Sequence, residues 1–237
     1  AHIVGGEDSH GGPLVRLLEA AGFHVAHHRS ADQFLQQTTG NAPGGMVLEV
    51  HMQTLDAPRL RSLLDEREMG RPLIVSAHDF QTRPAKLHNL IVAMNQSPGA
   101  INKIAWAART VRDNLEAFEI LQRRDKPTIA LCMGEAGIIS RILAKKFGAF
   151  LSFASLSKSA ETAPGQISIH DMKRLYRWDA INPATKVFGV VGSPVMHSMS
   201  PAIHNAAFEQ IGFDGVYVPL LVNPGYESFK AFMESFL

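Results

Sequence analysis

Cysteine is nearly absent from this sequence: Cys132 stands alone, so no disulfide can form within the chain. That excludes a disulfide-stapled secreted framework and fits a reducing, cytoplasmic setting. An excess of charge of either sign is also missing, because 23 Lys+Arg stand against 22 Asp+Glu and leave +1. A nucleic-acid binder or a polybasic membrane-surface protein needs such an excess, so neither is expected. No apolar run reaches the ~18 residues required to span a bilayer. The opening stretch AHIVGGEDSHGG has no basic region leading into an apolar one, so no secretory leader is expected. Ala1 in place of methionine points to trimming or excerpting.

What is present is ordinary globular material. The chain has 237 residues, 46% of them hydrophobic, enough for one large domain or two small ones. Its nine methionines are scattered without a stripe and read as core filler. Apolar runs at 1–4, 23–28, 45–50, 72–80, 100–106, 128–134, 149–156, 186–192 and 215–222 read as strands. Between most of them lie stretches of helical spacing, such as Leu14, Leu17, Leu18 and Ala21 ending at Gly22, or Val111, Leu115 and Phe118. Ser30 and Gln33 form a capping box before Phe34 and Leu35. Ile138, Ile142 and Leu143 carry a helix expected to run to Gly148; further helices are expected at 167–178, 200–211 and over the last fifteen residues. Strands alternating with helices predict an α/β fold with a parallel sheet, open or closed into a barrel. The stretch 157–166 reads as a long loop and 179–186 as the best linker candidate.

The chemistry-bearing residues lie where such folds keep their sites, at strand C-termini. Lys103 sits in the middle of INKIAW, an otherwise apolar strand, and lysine is seldom buried without a use. Desolvation disfavours the ammonium form, and a neutral amine can attack a carbonyl to form a Schiff base. His78 ends the preceding strand and could move protons. Arg141 starts the helix after the next strand and could hold a carboxylate bidentately. A plainer reading stays open: Lys103 as a snorkelling edge residue, His78 as a satisfied rim residue, and MGEAGIISR as a glycine-containing turn.

The stretches IVSAHDFQTRP, AINKIAWAARTVRDN, PTIALCMGEAGIISRILAKKFGAFLSFASL and TAPGQISIHDMKRLY, in that order, resemble the C-terminal half of type I 3-dehydroquinate dehydratase, in the form fused to shikimate dehydrogenase. The resemblance implies a (β/α)₈ TIM barrel and a lyase of the shikimate pathway that dehydrates 3-dehydroquinate to 3-dehydroshikimate. By that resemblance Lys103 matches the Schiff-base lysine, His78 the general base and acid, and Arg141 the carboxylate-binding arginine. Gln166 matches a substrate-binding glutamine, Thr162 stands where many members have serine, and Phe153 falls on the pocket wall. No cofactor is implied for the lyase, and the implied partner is a small carboxylate substrate, with oligomeric state left open.

Residues 186–237, with GSPVMHSMSPAIHN, resemble the start of shikimate dehydrogenase, where Ser198 and Ser200 would bind the shikimate carboxylate. Met199 replaces the common lysine. That family's catalytic Lys/Asp pair and NADP loop have no counterpart in the sequence, so NADP and dehydrogenation would need the missing part.

Residues 1–71 carry no ELR-type motif of the dehydratase family and resemble a degenerate response-regulator receiver, through AHIVGGEDS, GFHVAHHRSADQFL and GGMVLEVHM. The receiver's acidic pair falls on Gly5-Gly6, and its phospho-acceptor position on Glu49. The division expected is therefore 1–71 receiver-like (flavodoxin-like), 72–184 dehydratase half-barrel and 185–237 truncated dehydrogenase segment. This is a flavodoxin-like/TIM hybrid or an incomplete barrel, since these units supply seven strands where eight are wanted unless 186–192 fills the gap. The functional readings are a dehydratase of impaired activity, a receiver-like signalling or interaction module, or a shikimate-binding remnant without catalysis.

Overall fold

The computed structural model describes residues 2–4, 24–28, 33, 37, 46–48, 74–97, 99–157 and 165–236. Three short strands come first: β1 (His2–Val4), β2 (Ala26–His28) and β3 (Met46–Leu48). Gln33, of the expected capping box, is helical. Then follow β4 (Ile74–Asp79), α1 (Leu87–Gln96), β5 (Ile101–Ala107), α2 (Asp113–Gln122), β6 (Thr128–Met133) and, after a 3₁₀ turn at Glu135–Gly137, α3 (Ile138–Ile142). The C-terminal part holds α4 (Ile169–Arg174), a 3₁₀ turn at Trp178–Ala180, β7 (Lys186–Gly192), α5 (Ser200–Gln210), β8 (Gly215–Leu221) and α6 (Tyr226–Phe236).

These strands form three sheets with two kinds of order. The first runs β2-β1-β3, with β1 parallel to both neighbours. A first strand between the second and third is the order of a doubly wound, flavodoxin-like sheet. The second runs β4-β5-β6, in chain order, as neighbouring strands of a barrel do. The Asn102 N–H donates to Pro127 O and the Ala108 N–H to Met133 O, both at 2.9 Å, so β5 and β6 ascend together and are parallel. β6 is buried along all six residues and β5 at all but Lys103 and Ala107, as expected for parallel strands covered on both faces. Of the two possibilities left open for 186–192, filling the gap in a barrel or leaving the sheet open, the first is not seen among the described residues: β7 pairs in parallel with β8, in a two-stranded sheet.

The chain divides into two compact units. One comprises residues 1–77, 86–103 and 125–127, the other 78–85, 104–124 and 128–237. In the first, α1 packs Leu87 and Met94 inward. The Lys126 ammonium closes its C-terminal end by donating to Ser97 O at 2.6 Å and Gly99 O at 3.0 Å. In the second, Ile138, Ile139 and Ile142 of α3 share one hydrophobic cluster with Val216 and Val218 of β8 and Phe232 of α6. The chain after residue 186 thus shares its core with the turn that follows β6.

Three expectations need correction. The stretch 149–156 is extended chain with one isolated bridge, Ser155 to Ser168. The Phe150 N–H donates to Thr128 O, at the first residue of β6, and the Ser155 N–H to Ile167 O. The helix expected over 167–178 stops at Arg174. Three residues on, Arg177 adopts φ 53°, and its guanidinium donates to Phe213 O and Gly215 O. The helix expected to reach Gly148 ends at Ile142, and Gly148 closes the following turns at φ 77°.

One side chain replaces a strand. Asn205 of α5, 2% exposed, donates to Tyr217 O and accepts from the Tyr217 N–H, each at 2.8 Å, so it satisfies β8 where no further strand does. Asn205→Ala leaves both groups unpaired, and a loss of about 2 kcal/mol is expected. It should be read as a lower urea midpoint at unchanged slope.

Candidate active site

His78 is the penultimate residue of β4, half-buried, with the edge of its ring toward Phe80 (centroids 5.9 Å apart, planes at 76°). The turn behind it is fixed by Asp79, whose Oδ1 accepts from the N–H groups of Gln81 and Thr82 at 2.9 Å. Lys103 is the third residue of β5 and half-buried, between Asn102 and Ile104, which are 4% and 1% exposed. His78, Arg141 and Gln166 belong to the second unit and Lys103 to the first. Thr162 and Glu49 lie outside the described residues.

The best-defined part of the site is the turn from β6 into α3. β6 ends at Met133 and Gly134 follows at φ 87°. Gly165, at φ 71°, brings its Cα against the Gly134 backbone so closely that a β-carbon there would collide with it. That places Gln166 beside the end of β6. Past the 3₁₀ turn, Arg141 is the fourth of the five residues of α3, not its first as the sequence suggests.

Arg141 is 2% exposed, and its Nε is buried without a hydrogen-bond partner. Among the described residues no carboxylate pairs with its guanidinium. Burial pushes its pKa down from the ordinary guanidinium value to about 10, with the Cys132 thiol opposing. A buried guanidinium without an anion is costly to a fold and is what a carboxylate ligand requires. Cys132 is no competitor as a nucleophile, since burial, and then Asp113 and Glu116, push its thiol well up.

The main chain around Arg141 is tied by residues that the sequence analysis passed over. Asn114, fully buried on α2, accepts from the Ser140 N–H at 3.1 Å and donates to Ala136 O at 2.8 Å and Val111 O at 2.7 Å. Ser152 donates from Oγ to Arg141 O at 3.0 Å. The sequence does carry a signal for Asn114: it lies three residues after Val111 and four before Phe118, a lone amide on the apolar face of its helix.

At the C-terminal end, Ser198 and Ser200 are both half-buried in the turn entering α5, and the Ser200 N–H donates to Ser198 Oγ at 3.2 Å.

The model of the type I 3-dehydroquinase family matches residues 27–183. The chain belongs to the type I 3-dehydroquinase family. The match begins within the segment read as receiver-like. The model of the shikimate dehydrogenase substrate binding domain matches residues 190–237. Among curated relatives, the chain is 40% identical over 195 residues to the bifunctional 3-dehydroquinate dehydratase/shikimate dehydrogenase, chloroplastic, of Arabidopsis thaliana, covering 81% of this chain and 32% of that one. It is 34% identical over 122 residues to the 3-dehydroquinate dehydratase of Desulfotalea psychrophila, covering 49% and 53%. The chain therefore spans between a third and about half of these two relatives. Among solved structures, the 3-dehydroquinate dehydratase from Aquifex aeolicus superposes with a TM-score of 0.48 at 25% identity, covering 69% of this type I 3-dehydroquinase chain and 79% of that one. No helix among the described residues is long and apolar enough to cross a membrane.

Proposed function

We propose that this chain carries the Schiff-base chemistry of a 3-dehydroquinate dehydratase. The observation that carries the reading is the Arg141 guanidinium, buried and without a carboxylate partner among the described residues in a chain of this family. Arg141 holds the substrate carboxylate, with Gln166 and Thr162 as further substrate contacts. The Lys103 amine condenses with the substrate ketone and releases one water. The imine acidifies the neighbouring C–H, whose proton His78 takes. His78 then delivers a proton to the departing hydroxyl, a second water leaves, and hydrolysis of the imine consumes one water and frees the Lys103 amine. The net loss is one water, and no cofactor is required.

We expect turnover slower than in relatives that carry the ELR-type substrate contacts, because binding energy supports orientation as well as affinity. The test is reduction with borohydride in the presence of 3-dehydroquinate. The expected result is a mass adduct on Lys103, present even where steady-state turnover is weak; an unmodified Lys103 rejects the lyase reading.

We divide the chain as 1–71, 72–184 and 185–237, and a second reading applies to the first segment. The β2-β1-β3 order supports a receiver-like unit there, with Glu49 at the position of the phospho-acceptor. Labelling of Glu49 by acetyl phosphate in Mg²⁺ tests it. For the last segment, the paired Ser198 and Ser200 support binding of shikimate without dehydrogenation. Calorimetry with shikimate against Ser198→Ala tests that reading.

A further inference from the structure

We infer that Asn114 is a positioning residue for the Arg141 guanidinium, acting from α2 through the main chain of the β6–α3 turn, with Ser152 as the tether on the other side. The inference rests on the carboxylate-binding role proposed above for Arg141.

The geometry is specific. All three hydrogen bonds available to the Asn114 amide, apart from one lone pair, are used, and two of them cross to another element. One fixes the Ala136 carbonyl in the middle of the 3₁₀ turn, and the other fixes the N–H of Ser140, the residue before Arg141. The Ser140 hydroxyl completes the frame: it donates to Gly137 O at 2.7 Å and accepts from the Cys132 N–H at 2.8 Å. Ser152 then takes the carbonyl of Arg141 itself. The backbone is thus held on both sides of one residue, whose own Nε has no partner.

This is an unusual distribution. A side chain that served only the fold would be expected to be satisfied, as Asn114 and Ser140 are. Here the satisfied groups surround an unsatisfied one. A guanidinium aimed by its main chain rather than by an ion pair keeps both faces of its fork for a ligand, and meets that ligand with little orientation left to lose. A carboxylate neighbour would orient the arginine equally well but would occupy the donors that the substrate needs. An amide two elements away avoids that competition.

The test uses the full chain and two probes. Quinate carries the carboxylate and ring hydroxyls but no ketone, so it reports carboxylate binding without imine formation; 3-dehydroquinate reports turnover. Asn114→Ala should weaken quinate about tenfold and raise KM for 3-dehydroquinate alike, with kcat changed less than about threefold. In an Arg141→Met background the same replacement should add nothing, since the effect passes through Arg141. Ser152→Ala, at a half-buried position, should shift quinate affinity in the same direction by about threefold, and it keeps the question answerable where Asn114→Ala does not fold. Unchanged quinate affinity in both variants overturns the inference. So does equal weakening in the Arg141→Met background, or a fall in kcat at constant KM. A parent chain that binds no quinate overturns it as well. A parent that binds quinate with these dependences but forms no imine with 3-dehydroquinate sinks the dehydratase reading and leaves Asn114 in its role.

Discussion

Arg141→Met is expected to stabilise the fold and to abolish useful carboxylate binding in the same molecule. The native guanidinium is 2% exposed, has an unpaired Nε, and has its pKa pushed down to about 10 by burial. A base whose folded-state pKa lies below its unfolded value binds fewer protons when folded, so it opposes folding wherever the unfolded chain is charged. The opposition is full below about pH 10 and is relieved as pH rises above it. At 1.36 kcal/mol per unit it amounts to about 3 kcal/mol at neutral pH. Methionine fills similar length with an unbranched apolar chain and removes that opposition. The melting midpoint should rise by about 2–4 °C for each kcal/mol recovered. The margin between variant and parent should narrow between pH 9 and pH 11. Binding moves the other way: losing charge-assisted hydrogen bonds to the substrate carboxylate should cost about 10–100-fold in affinity. A destabilising residue kept at a binding position is the usual mark of function held against stability. A variant that melts lower than the parent at every pH would mean that the fold itself satisfies the guanidinium.

The sequence made the central strands legible for a simple reason. β4, β5 and β6 are mainly apolar runs bounded by turn residues, and their observed limits fall within two residues of those expected. Periodicity reports burial, however, and not pairing. The run at 149–156 is as apolar as a buried strand, yet it is extended chain with one isolated bridge, Ser155 to Ser168. The order β2-β1-β3 is likewise invisible to periodicity, since three equal apolar runs can be laid down in any order. Lys103, His78 and Arg141 were legible from their places at strand ends and their chemistry, which the family resemblance sharpened, whereas Gln166 was named from the resemblance alone. Asn114 was not named, because its meaning depends on partners 22 and 26 residues further along. Arg177 ends α4 for a similar reason: the carbonyls it reaches lie 36 and 38 residues away.

Gly137→Ala should strongly destabilise the second unit through a single methyl group. Gly137 is buried at φ −89° and ψ −4°, an ordinary conformation for any residue, so the requirement for glycine there is one of space alone. A β-carbon would lie 2.6 Å from both the carbonyl carbon and the oxygen of Cys132, and 2.8 Å from its Cβ. Two of these three atoms are backbone inside β6, which no rotamer change can move. The turn must therefore lift away from the strand, taking with it the Gly137 carbonyl that receives the Ser140 hydroxyl, and so the frame around Arg141. A loss of about 3 kcal/mol is expected in denaturant unfolding, at the upper end for overpacking a core. Gly134→Ala supplies the contrast three residues earlier. It has φ 87° and ψ 171°, a region open essentially to glycine alone, and nothing within 4 Å of the added methyl, so it bears only backbone strain of about 1–3 kcal/mol. Cys132→Ala should fail to rescue Gly137→Ala, because the obstructing carbonyl remains when the thiol is removed. Rescue would place the conflict with the side chain, and the turn would then owe its shape to Cys132 rather than to the path of β6.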